Sequence, residues 1–445
     1  MMTTKRSWLA GLGDALARHA AAIQAMQWAM VAVYLFLVAA PAFLPVPDDS
    51  RHIWDDLVLF AQFAFWGVWW PFVMVSMLAM GRAWCGVFCP EGVMTEWASR
   101  HGLGRAIPPW LRWKGWPFVA FVCTTVYGQM ITVYEYPKAA LLILGASTVM
   151  ALGIGLVYGR GLRVWCRYLC PASGVFSLLS RLAPVHFRVD AKAWNAAPRA
   201  PAVNCAPLVN VRTISGGGSC QMCGRCSGHR DAVTLAARLP GAEVVSLPER
   251  EVSAWDIVLL LFGVMGVATG AFQWSASPLF VELKQGLAAL LIGHGIIWPM
   301  VETLPWWLLT NSEETGEVFT LLDGFCLLSY IAATALALGG LGLGGLALAG
   351  RLAGRPSSPW RLGYALIPAG AVGLVIGLTS MTLTQLGTEG VSFAWVPEAR
   401  AGLLLLGIGW SGTLLWTLCP RPLAWLAGMT GPLAHAGLWW VILFG

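Results

Sequence analysis

Apolar runs of about 18 residues or more recur along almost the whole chain, and each is long enough to cross a hydrocarbon core of roughly 30 Å. They predict spans near 22–45, 56–80, 115–134, 139–158, 254–275, 318–345, 362–386, 400–419 and 424–444, with a further candidate at 286–304. The first run follows Lys5, Arg6 and Arg18, yet it is too long for a signal-peptide core and another span follows at once, so it reads as a retained helix.

The polar positions between the runs orient the spans, because lysine and arginine concentrate in short cytoplasmic loops. Lys5, Arg6 and Arg18 put the N-terminus inside, and Arg82, Arg100, Arg105, Arg112 and Lys114 mark the second loop as cytoplasmic. The long hydrophilic segment with Arg160, Arg163, Arg167, Arg181, Arg188 and Lys192 returns to the same side. In the second half Arg351, Arg355 and Arg361 favour the inside, while Glu313, Glu314 and Glu317 favour an outside loop. Both conditions hold if 286–304 re-enters the membrane without crossing it.

The expected fold is an all-α polytopic membrane protein of about nine or ten transmembrane helices. Residues 1–21 form a cytoplasmic N-terminus, 22–159 two transmembrane hairpins, 160–253 a cytoplasmic ferredoxin-like segment and 254–445 a C-terminal transmembrane region. Composition narrows the class: 57% of the 445 residues are hydrophobic and 11% charged, which excludes a soluble enzyme. The net charge of +6 reports topology, not a nucleic-acid partner. The 25 tryptophans read mainly as interfacial anchors, and the glycine-rich run at 339–345 as a close helix contact.

Of eleven cysteines, Cys123 and Cys326 lie inside apolar runs and Cys419 ends one. The other eight, Cys85, Cys89, Cys166, Cys170, Cys205, Cys220, Cys223 and Cys226, all fall in the two cytoplasmic segments, where a reducing compartment disfavours disulfides. Cys85-Gly-Val-Phe-Cys89-Pro90 and Cys166-Arg-Tyr-Leu-Cys170-Pro171 share the spacing C-x3-C-P, the second half of the bacterial ferredoxin run, and Cys220-Gln-Met-Cys223-Gly-Arg-Cys226 supplies its first half. An internal repeat joins the first two: Arg82-Ala-Trp84-Cys85 aligns with Arg163-Val-Trp165-Cys166 at an offset of 81 residues. Eight soft thiolates suffice for two [4Fe–4S] clusters, with structural zinc as the competing metal. Arg82 and Arg163 beside the thiolates offset negative charge or simply mark a cytoplasmic helix end. The stretch Ser215-Gly-Gly-Gly-Ser219 lacks a phosphate-loop ending and reads as a flexible approach to Cys220.

These motifs resemble the membrane-bound polyferredoxins of the NapH, NosR and CcoG type over roughly residues 55–235, on Cys85, Cys89, Pro90, Cys166, Cys170, Pro171, Cys220, Cys223 and Cys226. The resemblance implies electron transfer through cytoplasmic-side [4Fe–4S] clusters in a bacterial inner membrane. The long C-terminal membrane half, less familiar in those families, together with the stretch from Cys220 to Asp231 is similar to the FtrD type of ferrous-iron uptake systems. That similarity implies electrons accepted as Fe²⁺ is oxidised outside and a separate iron permease as partner. One departure stands out: a continued x3-C-P would place Cys and Pro at Arg230 and Asp231. The missing ligand then comes from Cys205, a helix-end cysteine or His229, and Asp231 is expected to cap a short helix at 232–238.

Electron exchange with a periplasmic redox or iron-binding protein needs a relay across the bilayer, for which a quinone or haem b is the expectation. Intramembrane ionisable residues are the suspects: His294 and His435 as a haem pair or each satisfying a backbone carbonyl or an internal water, and Glu302 as a proton or cation site or at the outer interface beside Trp306 and Trp307. The outward-facing carboxylates Asp48, Asp49, Asp55, Asp56, Glu135, Glu313, Glu314, Glu317 and Glu389 would attract a metal ion or a basic protein, or remain there because lysine and arginine are excluded. Quinol oxidation feeding a periplasmic reductase, and metal transport with structural zinc, are the alternative functions.

Overall fold

The computed structural model describes residues 7–444 except 49, 199, 215, 313, 314 and 355–357. Lys5, Arg6, Asp49, Ser215, Glu313, Glu314 and Arg355, named above, lie outside the described residues. Two compact units are interleaved along the chain. One comprises Met1–Phe36, Phe72–Pro117 and Ala146–Leu247, the other Leu37–Pro71, Phe118–Gly145 and Pro248–Gly445.

The apolar runs become helices, and the protein is a multi-pass membrane protein. Among the described residues seven helices are long and apolar enough to cross: Ala20–Phe43, Leu57–Met80, Pro137–Val157, Ala254–Ala276, Leu321–Leu352, Pro359–Thr388 and Val396–Leu418. The pair Pro422–Gly428 and Thr430–Phe444, bent by 44°, makes an eighth if counted as one. This is fewer than the nine or ten expected, for two reasons. The run at 115–134 yields a helix of only 15 residues, Trp116–Met130, which at about 1.5 Å per residue falls short of the hydrocarbon thickness. The run at 286–304 is not one helix: Pro278–Gly293 ends there, and Gly295 at φ +69° precedes a single 3₁₀ turn, Trp298–Met300.

In the motif-bearing unit the N-terminal helix Trp8–Arg18 is capped by Ser7, whose side chain accepts from the Ala10 amide. It packs on a two-stranded antiparallel sheet, β1 (Val185–Val189) and β2 (Val233–Ala237), with Val185 opposite Ala237 and Val189 opposite Val233. The expected helix at 232–238 is therefore a strand. Val233 and Leu235 point inward by alternation into a core with Leu9, Phe187, Cys220, Met222 and Cys226, and a β-branched, two-residue period suits that role better than a helical turn. Asp231, at φ +51°, sits in the turn before β2.

The second unit is built around Ala254–Ala276, 72% of whose apolar window is buried, against 33% for Val396–Leu418. Glycines set the approach of its neighbours. A Cβ on Gly266 would lie 2.6 Å from the Ala335 Cα, one on Gly342 would lie 2.9 Å from Leu261, and one on Gly431 would lie 2.8 Å from the Gly342 Cα. The run at 339–345 is packing, as its composition suggested, since Gly345 faces Thr430 and Ala427 in the same way.

Candidate iron–sulfur site

Each C-x3-C-P motif folds by the same local rules. Cys85 lies in a one-turn helix, Ala83–Val87, and Cys166 in its counterpart Val164–Tyr168, again 81 residues on. In both copies the tryptophan before the first cysteine gives its carbonyl to two amides: Trp84 accepts from Phe88 and Cys89, each at 2.9 Å, and Trp165 from Leu169 and Cys170 at 2.9 and 3.0 Å. Proline then fixes φ at the start of the next helix or turn and holds the preceding cysteine out of helical geometry, with Cys89 at φ −61°, ψ 118°. The duplication legible in the sequence is thus a duplication of backbone hydrogen bonds.

The third motif is laid directly on the first. A Cβ on Gly86, between Cys85 and Cys89, would sit 2.0 Å from the Gln221 carbonyl oxygen and 2.7 Å from the Cys223 amide nitrogen, so only glycine admits this loop. The equivalent position in the second copy is Arg167. Met222 adopts φ +54° and Gly224 φ +76°, which curls the loop so that the Met222 amide donates to the Cys220 sulfur at 3.4 Å. Ser215–Ser219 is no flexible approach over its described part: Gly217 and Gly218 donate their amides to Glu243 at 2.7 and 3.4 Å, and a Cβ on Gly216 would run into that carboxylate.

The eight cysteines are free thiols, with Cys85, Cys166, Cys220 and Cys226 buried and the other four half-buried. Burial and the neighbouring Cys85 and Glu91 push the Cys89 thiol up to about 12. Burial, with Cys89, Cys170 and Cys85 nearby, raises Cys166, and burial with Glu91, Cys89 and Cys85 raises Cys170. Burial and Cys223 likewise raise Cys220 and Cys205, and push Cys226 up to about 12. In these mutual effects Cys85, Cys89, Cys166 and Cys170 fall into one set and Cys205, Cys220, Cys223 and Cys226 into another. Cys205 falls in the second set through Cys223, while His229 packs against the Trp194 ring at 5.3 Å.

The donors fit a thiolate-bound cage. The Met222 amide donates to the Cys220 sulfur, the kind of hydrogen bond that stabilises thiolate in a cluster, and the backbone amides of Gly92, Ala172 and Val209 favour the thiolate forms of Cys89, Cys170 and Cys205. Among the described residues no three His, Cys, Asp or Glu side chains converge tightly enough for one ion. A four-iron cage asks for a wider arrangement, since each thiolate holds its own corner iron.

Carboxylates that sequence reasoning missed hold the loops, Glu96 and Glu243 buried and Glu91 half-buried. Glu91 accepts from Ser147 at 2.6 Å and from the Trp165 indole at 3.1 Å, tying the first copy to the second. Glu96 takes Arg163 at 2.8 Å, Arg225 at 2.8 Å and Arg100 at 2.5 Å; burial opposes its charge, but Arg163 and Arg225 outweigh it and hold the carboxyl at about 2. Glu243 takes Arg181 at 3.1 Å and Arg238 at 2.6 Å. The available signal was the sign of the charge, since single glutamates in a segment crowded with arginines are pairing partners.

The three relay suspects are not brought together. His294 is exposed and its Nδ1 pairs with its own helix at the Leu290 carbonyl, and Glu302 is exposed too. His435 is 1% exposed, and its Nε2 already receives the Trp439 indole at 3.1 Å and meets the Thr269 hydroxyl at 3.1 Å. Both contacts occupy the ring nitrogen that a haem iron would need.

Comparison with known proteins agrees with the geometry. Residues 62–114 and 143–189 match the family described as 4Fe-4S binding domain, and both C-x3-C-P motifs lie inside the match. The chain is 26% identical over 260 residues, half of its own length and 70% of the relative's, to the Escherichia coli (strain K12) protein named "Putative electron transport protein YccM". No solved structure matches the chain. The chain therefore carries a 4Fe-4S binding domain on its two duplicated motifs and is similar to membrane-type polyferredoxin-like electron-transport proteins.

Proposed function

We propose that the protein transfers electrons through two [4Fe–4S] clusters at the cytoplasmic face of a bacterial inner membrane, in exchange with a periplasmic metal-redox or iron-uptake system. One cluster is held by Cys85, Cys89, Cys166 and Cys170, the other by Cys205, Cys220, Cys223 and Cys226. The observation that carries the reading is the sorting of eight free, buried or half-buried thiols into two quartets, with the Met222 amide aimed at the Cys220 sulfur. The electron-transport name of the Escherichia coli relative supports it. Iron uptake as the particular system, with a permease as partner, is supported by the likeness of Cys220–Asp231 to the FtrD type.

Anaerobically purified protein should contain about eight iron and about eight acid-labile sulfide, with a cluster EPR signal after dithionite reduction. Zinc without sulfide would sink the reading and favour the transport alternative. A second reading, quinol oxidation, is favoured by a cavity of about 420 Å³ reaching Cys223, walled by Gln24, Gln27, Trp28, Trp97 and Arg225. Reduction of the cluster spectrum by a quinol analogue, abolished by Gln27→Leu, distinguishes it from the first.

A further inference from the structure

Charge is divided unequally between the two units. The motif-bearing unit carries nineteen arginines and lysines against six carboxylates, and the second unit nine against sixteen. Of the six, Glu96 and Glu243 are buried and Glu91 half-buried in the ties described above, and Asp14 accepts from the Ser227 hydroxyl at 2.8 Å, which leaves Asp190 and Asp231 exposed. Orientation in the membrane accounts for only part of the excess, since that rule acts within about 15–20 residues of a span. Residues 178–233, all farther than that from Val157 and Ala254, still hold seven arginines and lysines against two aspartates.

Part of this excess borders the second set of thiols. Three stretches interlock there: the Leu162 amide donates to the Ser99 hydroxyl at 2.8 Å, the Gly159 amide to the Arg105 carbonyl at 3.0 Å and the Arg163 amide to the Ala206 carbonyl at 2.7 Å. A Cβ on Gly104 would lie 2.7 Å from Arg160 Nε, and one on Gly161 would lie 3.0 Å from the Asn204 side-chain nitrogen and 3.9 Å from Arg100 Cγ. Asn204 precedes Cys205, and with Arg100 and Arg225 it lines the cavity that reaches Cys223. Burial raises the Cys205 thiol, and Arg225 and Arg167 pull against it. The result is a strip in which Arg100, Arg105 and Arg160 are exposed and Arg167 and Arg225 half-buried, beside the half-buried thiols Cys205 and Cys223. No aspartate or glutamate occurs in 99–105, 158–170, 203–209 or 220–226. Glu96, with its side chain 5% exposed, is already held by Arg100, Arg163 and Arg225. Leu103, 64% exposed, gives the strip an apolar anchor.

We infer that this strip is the docking surface for a small, soluble, acidic electron-carrier protein that exchanges single electrons with the cluster of Cys205, Cys220, Cys223 and Cys226. The carrier holds an iron–sulfur centre or a flavin. At each encounter it is oxidised by one electron as the cluster is reduced by one, and no bond is made or broken. A carboxylate-rich face on the carrier meets the arginines, which speeds the encounter and fixes its register, while a basic protein is repelled. The electron step rests on the two-cluster reading above.

The test uses the intact, anaerobically purified protein in nanodiscs of zwitterionic lipid, with iron and sulfide counted on every sample. The probe is an acidic [2Fe–2S] ferredoxin, its binding followed by biolayer interferometry and its electron exchange by stopped-flow absorbance. It should bind the wild-type protein with a Kd that rises about tenfold from about 50 to about 300 mM salt, and a basic cytochrome c should not bind. The double variant Arg105→Glu, Arg160→Glu should weaken ferredoxin binding about tenfold and slow the exchange in step, with iron, sulfide and reduction by dithionite unchanged. Arg351→Glu, an exposed reversal in the second unit, should change neither binding nor exchange. If the double variant loses its iron, Arg160→Gln decides by a smaller loss of binding in the same direction. The inference is overturned if ferredoxin does not bind, binds independently of salt, or binds the iron-loaded double variant like wild type. It is equally overturned if the reversal leaves ferredoxin binding intact and instead strips co-purified anionic phospholipid, which would make the strip a lipid contact. Absence of iron and sulfide from the wild-type protein would overturn the two-cluster reading, whereas failure of the iron-loaded protein to bind overturns the docking surface alone, so the two failures are distinct.

Discussion

The two units solve the burial problem in opposite ways. In the motif-bearing unit Arg82, Arg163, Arg181, Glu96 and Glu243 are all buried, whereas the second unit buries Arg361 and, among its described residues, no other arginine, lysine or carboxylate. The second unit instead closes by backbone approach, with glycines against Ala335, Phe262, Leu261 and Thr430. Apolar helix contacts need only small residues and van der Waals fit. Loops carrying thiolates have no such regular surface, so each must be tied by specific charged and backbone hydrogen bonds, and those ties survive burial only when paired. Strength in the first unit is therefore concentrated in few bonds, and in the second it is spread over many contacts.

The sharpest way to break this contrast is Gly86→Val. The new side chain meets backbone of the third motif rather than a movable side chain, so the loop must leave. We expect iron to fall from about eight to about four per protein, the content of one four-iron cage, with the C-x3-C-P cluster signal retained. Full iron content would show that the loop does not depend on this contact. Glu243→Ala comes next. It removes the carboxylate that Arg181 and Arg238 share and frees two glycine amides, and breaking such a buried network costs about 3–5 kcal/mol. Thermal loss of the cluster absorbance at a lower temperature checks it. Gly266→Val in the second unit overpacks a helix crossing by about 1–3 kcal/mol; it should lower the unfolding temperature in detergent and leave the cluster spectrum unchanged.

Legibility in the sequence follows the same division. Cysteine spacing, the 81-residue repeat and most spans could be read directly, because thiolate spacing and apolar length are local properties. The strand at Val233–Ala237 could not, since a five-residue run becomes a strand only through Val185–Val189, more than forty residues away. The shortness of Trp116–Met130 was hidden because hydropathy counts apolar residues and not helical ones; the helix stops ahead of Thr132, which turns at φ +47°. Gly86 was invisible for another reason. Its neighbour Gln221 lies 135 positions on, and a close approach leaves no mark in composition. Of the candidate site, the eight cysteines could be picked out by spacing, but the proposed grouping into quartets and the contacts of Glu91, Glu96 and Glu243 depend on tertiary placement.

The smallest expected effect tests the second unit at its least typical point, the loop that follows Trp116–Met130. Partial burial and the adjacent Glu317 carboxylate push the Glu135 carboxyl up to about 7. Glu317 is itself held by the Tyr136 hydroxyl at 2.5 Å, and the Gln62 amide donates to the Glu135 backbone carbonyl. Protonated Glu135 hydrogen-bonds Glu317, whereas two ionised carboxylates repel. Because the folded pKa lies above the unfolded value, near 4.3 for glutamate, the folded state binds more protons in between. Stability should then fall as pH rises from about 4.5 to about 7 and level off above it. Glu135→Gln keeps a donor without the charge, so its unfolding temperature in detergent should match wild type near pH 5 and exceed it at pH 8. Parallel pH profiles for the two proteins would mean that the carboxylates do not share a proton, and that charge in this unit is as peripheral as its apolar helices suggest.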